Sequence, residues 1–502
     1  MAQAVAPAPD HERPIGFLGL MRNRNYALLW WGQLVSEMGN RFHWIAVSLW
    51  VFDLTHSASA VALAISSMFA GSFVVGLWAG VLVDRLNRKA ILVVSDFARA
   101  FLVSLIPSLI HLNIALVYVD LILISAATAF FRPAMLGIIP AAVNRRDLMP
   151  ANSFFTVMDS GAEIFGPALA GGLAFAYGYA PLLYVDAMTY LVSGLLALAM
   201  TIGLKAKDPS DSLDGGKLTL TTRLVDGFRY IRRDSLQWGF FMLIFPAALV
   251  TSGLSSLQTP LAKGELGITD AQFGTFNSIW GVGFTLASLI LGWFGTRVRK
   301  SLVILIGFFL NFLSTGLMGL SHSLESLMIT GFAVGFANTL YYVGVTTVLM
   351  ERTPAELFGR VVSTRQVATG FLRVVVPLAF GAIADRFGVR FSVVLLAAIG
   401  AIGTAFAVIN NPATINFDAG PSHSNERMFG IVRRLGGQAS QEFETEQQIW
   451  LSLAAIGVVL VGWLGIYSFS PIRAGGVLIS VLMFAFGGAA LHRRRRFQGR
   501  SR

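Results

Sequence analysis

Long apolar runs separated by short polar gaps dominate this chain. By the rule that a span needs roughly 20 apolar residues, about fourteen candidates stand out. They lie near 26–52, 58–83, 90–111, 114–141, 151–177, 181–203, 236–261, 271–295, 301–320, 325–350, 361–384, 389–410, 450–468 and 473–491. The pattern predicts an all-α membrane protein. Two polar stretches, 204–235 and 411–449, are too long for tight turns and divide the spans into six, six and two. The expected organisation is a cytosolic N-terminal segment (1–25), an N-terminal six-helix half (26–203), a cytosolic linker (204–235) and a C-terminal six-helix half (236–410). A cytosolic tether (411–449), a transmembrane hairpin (450–491) and a basic cytosolic tail (492–502) follow.

Composition supports this reading. Of 502 residues, 55% are hydrophobic and only 13% charged, where a soluble protein carries about a quarter charged. The sequence contains 0 cysteines, which excludes disulfides, Cys-ligated zinc and thiol chemistry. The net charge of +11 first suggests nucleic acid. The basic residues, however, collect on one side: about 29 of the 38 fall on segments that a cytosolic N-terminus places inside, and about 4 outside. The excess is therefore a topology signal, and the terminal "HRRRRFQGRSR" is a cytosolic anchor near anionic lipid. No nucleic-acid partner is expected. The polar start "MAQAVAPAPDHERP" lacks the charged-then-apolar order of a secretory signal. A multi-pass protein of the inner (plasma) membrane follows, with both termini cytosolic.

The two sixes resemble each other. "AGVLVDRLNRKAIL" (79–92) and "LGWFGTRVRKSLVI" (291–304) occupy equivalent loops. "ANSFFTVMDSGAEIFGPALAGG" (151–172) lies without gaps on "VVSTRQVATGFLRVVVPLAFGA" (361–382), so that Pro167 meets Pro377 and Glu163 meets Arg373. A duplicated six-span half is a transporter architecture, with its site near the midplane.

Charges inside spans single out candidate chemistry. At 1.5 Å per residue, Glu163 lies roughly 18 Å from the cytosolic end of its span, Glu37 roughly 16 Å and Arg132 roughly 13 Å. Asp159 is one turn shallower than Glu163, on nearly the same face. Arg132 is the basic group of that half at the depth of Asp159, so the two are expected to pair as a structural lock. Glu163, without a fixed cation in apolar surroundings, favours its neutral form and is the expected proton carrier. Arg373, its repeat counterpart, cannot deprotonate and is expected to compete with the proton as a fixed charge. His43 sits among aromatic residues and is read as packing, with proton relay as the alternative. Gly161, Gly166, Gly171 and Gly172 allow a neighbouring helix to approach, and Pro167 removes a backbone hydrogen bond and permits a bend. No phosphate loop, His–Glu metal pattern or nucleophile triad is present, so no enzymatic activity, metal or cofactor is expected.

Over roughly residues 15–410 the chain resembles the major facilitator superfamily. "GVLVDRLNRKA" looks like its loop 2–3 signature, with Asn87 where a second glycine is usual. "GAEIFGPALAGG" is similar to the fifth-span glycine–proline signature of its antiporters. Together with "MRNRNYALLWWGQLVS", "FFRPAMLGIIP" and "LMPANS", these resemble the drug:proton antiporter branch that includes macrolide efflux proteins and enterobactin-type siderophore exporters. Where that branch carries "GD" in its first span, this chain has Asn40.

The resemblance implies a twelve-span fold of two pseudo-symmetric halves, to which the hairpin is an addition. It implies that Asp84, with Gly80, Arg85, Arg88 and Lys89, forms a gate to neighbouring helices in the outward-facing state, and that the Pro167 bend lies where the halves rock. Because span one lines the central cavity in this superfamily, Glu37 is the rival proton carrier. A cavity lined by spans one, four, seven and ten would draw on Trp44, Phe131, Gln258, Asn338, Tyr341 and Tyr342, a mix suited to a bulky amphipathic compound. The expected function is proton-coupled export of a hydrophobic or amphipathic small molecule by a monomer in the lipid bilayer. Lipid translocation, uptake, and a non-transporting scaffold or sensor remain the alternatives.

Overall fold

The computed structural model describes residues 17–83, 86–144, 147–201, 220–295 and 298–417. The expected hairpin 450–491, the basic tail and most of the tether lie outside the described residues, as do Asp84 and Arg85. All long elements are helices: α1 (Phe17–Met21), α2 (Arg24–Thr55), α3 (Ala58–Val83), α4 (Arg88–Leu112), α5 (Ile114–Ala142), α6 (Leu148–Tyr177), α7 (Tyr179–Leu198), α8 (Leu220–Arg233), α9 (Ser235–Thr259), α10 (Asp270–Phe294), α11 (Lys300–Gly319), α12 (Leu324–Arg352), α13 (Ala355–Phe387), α14 (Val389–Asn410) and α15 (Ala413–Asn416). Twelve of them coincide with the first twelve apolar runs. Ten are long and apolar enough to cross a membrane by length and composition. The two that fall short, α2 and α6, carry Glu37 and Arg41, and Asp159 and Glu163.

The chain folds as two compact units. One comprises Met1–Ala46 with Ala70–Gly216, the other Val47–Phe69 with Lys217–Arg502. In the first unit α4 packs on α5 and α7. In the second, α12 packs on α10 and α11, and α9 on α13 and α14. Lipid tails are as apolar as the side chains, so close approach rather than hydrophobic expulsion holds such helices together. A side chain at Gly283 of α10 would strike the Phe332 carbonyl of α12, and one at Gly335 of α12 would strike the Trp280 carbonyl of α10. The crossing is tight in both directions. In the first unit Gly71 of α3 lies similarly against the Ile122 carbonyl of α5. Beside it the Ser72 backbone N–H donates to Ser125 Oγ at 2.9 Å.

Part of the stretch expected as linker is ordered: α8 is amphipathic and packs on α13, burying Ile231 with Phe241 and Val361. Asp226 lies 3.0 Å from Arg229 and 3.7 Å from Arg360.

Within the second unit, the corner between α2 and α3 is held by charge. After α9 the chain widens into a π-helical turn, Pro260–Glu265, where Lys263 Nζ meets Asp53 at 2.7 Å and Asp270 at 2.6 Å. From the end of α13, Asp385 caps α3: it accepts from the Ser57 hydroxyl (2.7 Å) and from the backbone N–H groups of Ala58 (2.7 Å) and Ser59 (3.1 Å). Those donors have no partner inside their own helix, and a carboxylate also complements the positive helix end. Asp385→Ala is therefore expected to lower stability by about 1 kcal/mol, with Asp385→Asn intermediate. Thermal unfolding of the purified protein followed by tryptophan fluorescence checks this, and an unchanged midpoint in Asp385→Ala would show that the cap contributes nothing.

Candidate functional site

The candidate site lies in the first unit, where α2 and α6 bring their charges together. One guanidinium holds two carboxylates: Arg41 Nη2 donates to Glu37 Oε1 at 3.2 Å, within α2, and Arg41 Nη1 reaches Glu163 Oε2 of α6 at 2.6 Å. Glycine makes this possible. A Cβ at Gly166 would sit 2.8 Å from both Cβ and Cγ of Arg41, so only a bare helix face lets the arginine stem lie along α6. Asn40, at the position of the missing acid, donates to Glu37 Oε2 at 2.9 Å and accepts the Tyr190 hydroxyl of α7.

This geometry corrects the expected pairing. Asp159 and Arg132 are both exposed, and no ion pair joins them among the described residues. Glu163, expected to lack a fixed cation, has one. Depth along a helix can be counted from sequence, but the direction of a side chain around it cannot. Arg41 was at the right height all along, and Gly166 turns that height into a contact.

The other glycines behave differently. Side chains at Gly161 and Gly172 would meet open space, so no close helix approach is made there. Gly171 and Pro167 are buried, and α6 continues through Pro167 as one helix.

Of the gate residues, Gly80 falls within α3, and Arg88 and Lys89 are described. Both brace the first unit internally. Arg88 Nη1 donates to the Gly137 carbonyl of α5 at 3.1 Å, and Lys89 Nζ to the Met200 carbonyl beyond α7 at 2.6 Å. Asn87, the departure from the resembled loop signature, caps α4 by accepting from the N–H groups of Lys89 (3.0 Å) and Ala90 (3.3 Å).

The cavity candidates divide by unit. In the first, Trp44 is half-buried and Phe131 is buried beneath the Arg99 guanidinium, 4.2 Å from its ring centre. In the second, Asn338 donates to the Tyr341 hydroxyl at 3.0 Å, and Tyr341 stacks on Phe308 at 4.6 Å. Gln258 is buried with its Oε1 unsatisfied, and Tyr342 is exposed. Arg373 lies over the Phe69 ring, 5.4 Å from its centre.

A family model described as Major Facilitator Superfamily matches residues 29–263 and again 244–492. The chain belongs to the Major Facilitator Superfamily. Two matches to one model also agree with the internal repeat. Among curated relatives, macrolide efflux protein A of Streptococcus pyogenes is 24% identical over 370 residues, 72% of this chain and 90% of that protein. Enterobactin exporter EntS of Escherichia coli is 26% identical over 349 residues, 65% of this chain and 77% of that protein. The solved structure of nucleoside transporter NupG shares the fold with a TM-score of 0.62 at 13% identity, over 78% of this chain and 98% of that one. The protein is thus a multi-pass membrane transporter of this superfamily, and the superfamily fold implies a small-molecule substrate.

The sequence reading placed Arg99 inside a span but gave it no role, and missed the acids around it in the same unit of this superfamily member: Asp96 beside it on α4, Asp120 on α5 and Asp186 on α7, all buried. A signal for them exists. The tripeptide "YVD" occurs at 118–120 and again at 184–186, each time placing an acid in an apolar run, and an ionisable group at that depth is a functional candidate by default.

The revised pairing predicts that Arg41→Gln lowers thermal stability by about 1 kcal/mol, as expected when a partly exposed ion pair is lost, while Arg132→Gln stays within about 0.5 kcal/mol of the parent. Gly166→Ala should resemble Arg41→Gln, because the added methyl displaces the arginine stem. Equal losses in the two arginine variants would restore the Asp159–Arg132 pair.

Proposed function

We propose that the protein is a proton-coupled exporter of small hydrophobic or amphipathic compounds, of the kind that the macrolide and siderophore exporters among its relatives carry. It works from the plasma membrane as a monomer, with both termini cytosolic, by alternating access. The observation that carries this reading is the bridged group Glu37–Arg41–Glu163, with Asp159 one turn away and outside any ion pair among the described residues. On this face three carboxylates, Glu37, Glu163 and Asp159, meet two cations, the bridging Arg41 and the more distant Arg132. The surplus negative charge can be balanced by a proton or by a cationic amphipathic substrate, and one excludes the other. Exclusive occupancy is the physical core of antiport: a substrate leaves only as a proton arrives.

The argument that first favoured Glu163 now selects Asp159 as the carrier, since Asp159 is the acid that no ion pair among the described residues engages. Glu163 acquires the switching role. When the proton count on this face changes, Arg41 is free to shift between Glu163 on α6 and Glu37 on its own helix. Retention of several charges in spans disfavours a non-transporting scaffold.

Transport in proteoliposomes tests this with a macrolide panel under an imposed pH gradient. The parent protein should export at least one compound uphill. Asp159→Asn should abolish uphill export while leaving downhill exchange. Glu163→Gln should slow both and leave the dependence on the gradient. Uphill export near the parent rate in Asp159→Asn, with its loss in Glu163→Gln, would return the carrier role to Glu163. Gradient-driven accumulation of the compounds in place of export would make the protein an uptake carrier.

A further inference from the structure

Behind the Glu37–Arg41–Glu163 face, the first unit encloses a second ionisable group set that the exporter reading does not use. Asp96 and Asp186 are wholly buried, at 0% exposure, and Asp120, Arg99 and His43 nearly so. Arg99 is committed. It pairs with Asp96, and its guanidinium lies over two rings, 4.2 Å from Phe131 and 4.3 Å from Tyr190. The other oxygen of Asp96 accepts from the Ser193 hydroxyl at 2.9 Å. That leaves Asp186 and Asp120. His43 Nδ1 stands 3.2 Å from Asp186 Oδ2. Among the described residues, Asp120 Oδ2, Asp186 Oδ2 and His43 Nδ1 have no aligned hydrogen-bond partner.

The charges do not balance as written. Among the described residues, three carboxylates face one permanent cation, so two negative charges remain in a buried setting that strongly disfavours an unpaired charge. Two bound protons balance the charge: one held between His43 Nδ1 and Asp186 Oδ2, which face each other at 3.2 Å without an aligned hydrogen bond, and one on Asp120, the acid that no ion pair among the described residues engages. A rotation of the imidazole that aligns the pair lets the first proton pass from His43 Nδ1 to the Asp186 carboxylate, leaving a neutral imidazole and a neutral acid with no change in total charge.

The location is built for this. A Cβ at Gly39 of α2 would collide with Asp186 Oδ1 and Thr189 Oγ1, so the glycine before Asn40 lets α7 bring its acid against α2. The enclosed set is also joined to the exposed face: Glu37 accepts from Asn40, and Asn40 accepts from Tyr190, whose ring lies under Arg99. The ionisable groups that face His43 are Asp186 on α7 and Asp120 on α5, and the Asn40–Tyr190 link extends the set to Glu37 on the helix of His43 itself and to Arg99, paired with Asp96, on α4.

We propose that His43 and Asp186, with Asp120, form an interior proton-holding site of the transport cycle, tied to the charge on Glu37 through Asn40 and Tyr190. This rests on the proton-coupled reading above and adds a second place where the coupled proton is held. His43 thereby moves from packing to chemistry, and Asn40 is the link that the absent acid of the first span leaves open.

Infrared spectroscopy of the purified full-length protein tests the bound protons without any substrate. A deuterium-sensitive carbonyl band of protonated carboxyl groups should be present at neutral pH, and Asp120→Asn should reduce it. His43→Gln should increase it, because the proton lost from the imidazole must then reside on Asp186; Asp186→Asn should abolish that increase in the double variant. A band unaffected by all three changes overturns the proposal. The double variant His43→Gln/Asp186→Asn keeps a neutral, similarly sized pair and guards against misfolding. In proteoliposomes it should lose gradient-driven macrolide export and keep downhill exchange, and gradient-driven export at the parent rate overturns the interior site. Should the parent itself export without regard to the gradient, the proton-coupled reading fails, and the infrared bands alone decide whether the interior protons exist.

Discussion

An ionisable group in a membrane span must find a counter-charge, a proton or a polar cavity, because hydrocarbon offers none. That constraint organises the first unit of this transporter. Arg41 answers it for two acids at once, and the two helices it connects are those whose composition makes them poor spans. Arg99 answers it for Asp96 in the interior, with aromatic faces on both sides. What remains among the described residues after these pairings are acids that no ion pair engages, Asp159 on the exposed face and Asp120 in the interior. A fully paired set would be a lock.

Glycine is the second requirement, and it acts at particular places rather than as general flexibility. Gly166 lets the Arg41 stem reach Glu163, Gly39 lets Asp186 reach α2, and the pair Gly283 and Gly335 closes the α10–α12 crossing. In each case a methyl group would collide with a functional side chain or a neighbouring backbone. The glycine–proline signature of α6 thus has a local meaning here: its glycine is the floor on which the charge bridge lies.

The two halves share a sequence pattern and differ in chemistry. Where the first carries Glu163, the second carries Arg373 at the repeat position. Tyr341 is stacked and hydrogen-bonded through its hydroxyl, and Arg373 lies against an aromatic ring. Among the described residues the buried acids, Asp96, Asp120, Asp147 and Asp186, all lie in the first unit. Within the second unit, Lys263 and Asp385 hold the α2–α3 corner.

By itself the sequence determined the membrane class, the twelve described spans, the repeat and the superfamily, because each follows from apolar run length or from short motifs read along one dimension. It also marked Glu37, Asp159, Glu163 and Arg132 as unusual, since a charge in an apolar run is visible without coordinates. Which charge meets which was decided only by the tertiary structure. The Arg41 bridge, the enclosed His43–Asp186 pair and the Asp385 cap join residues 122, 143 and more than 300 positions apart. Those contacts depend on the rotation of each helix about its axis and on a glycine in the facing helix. Neither quantity is carried by depth or composition, so the sequence supplied the charges and packing chose their partners.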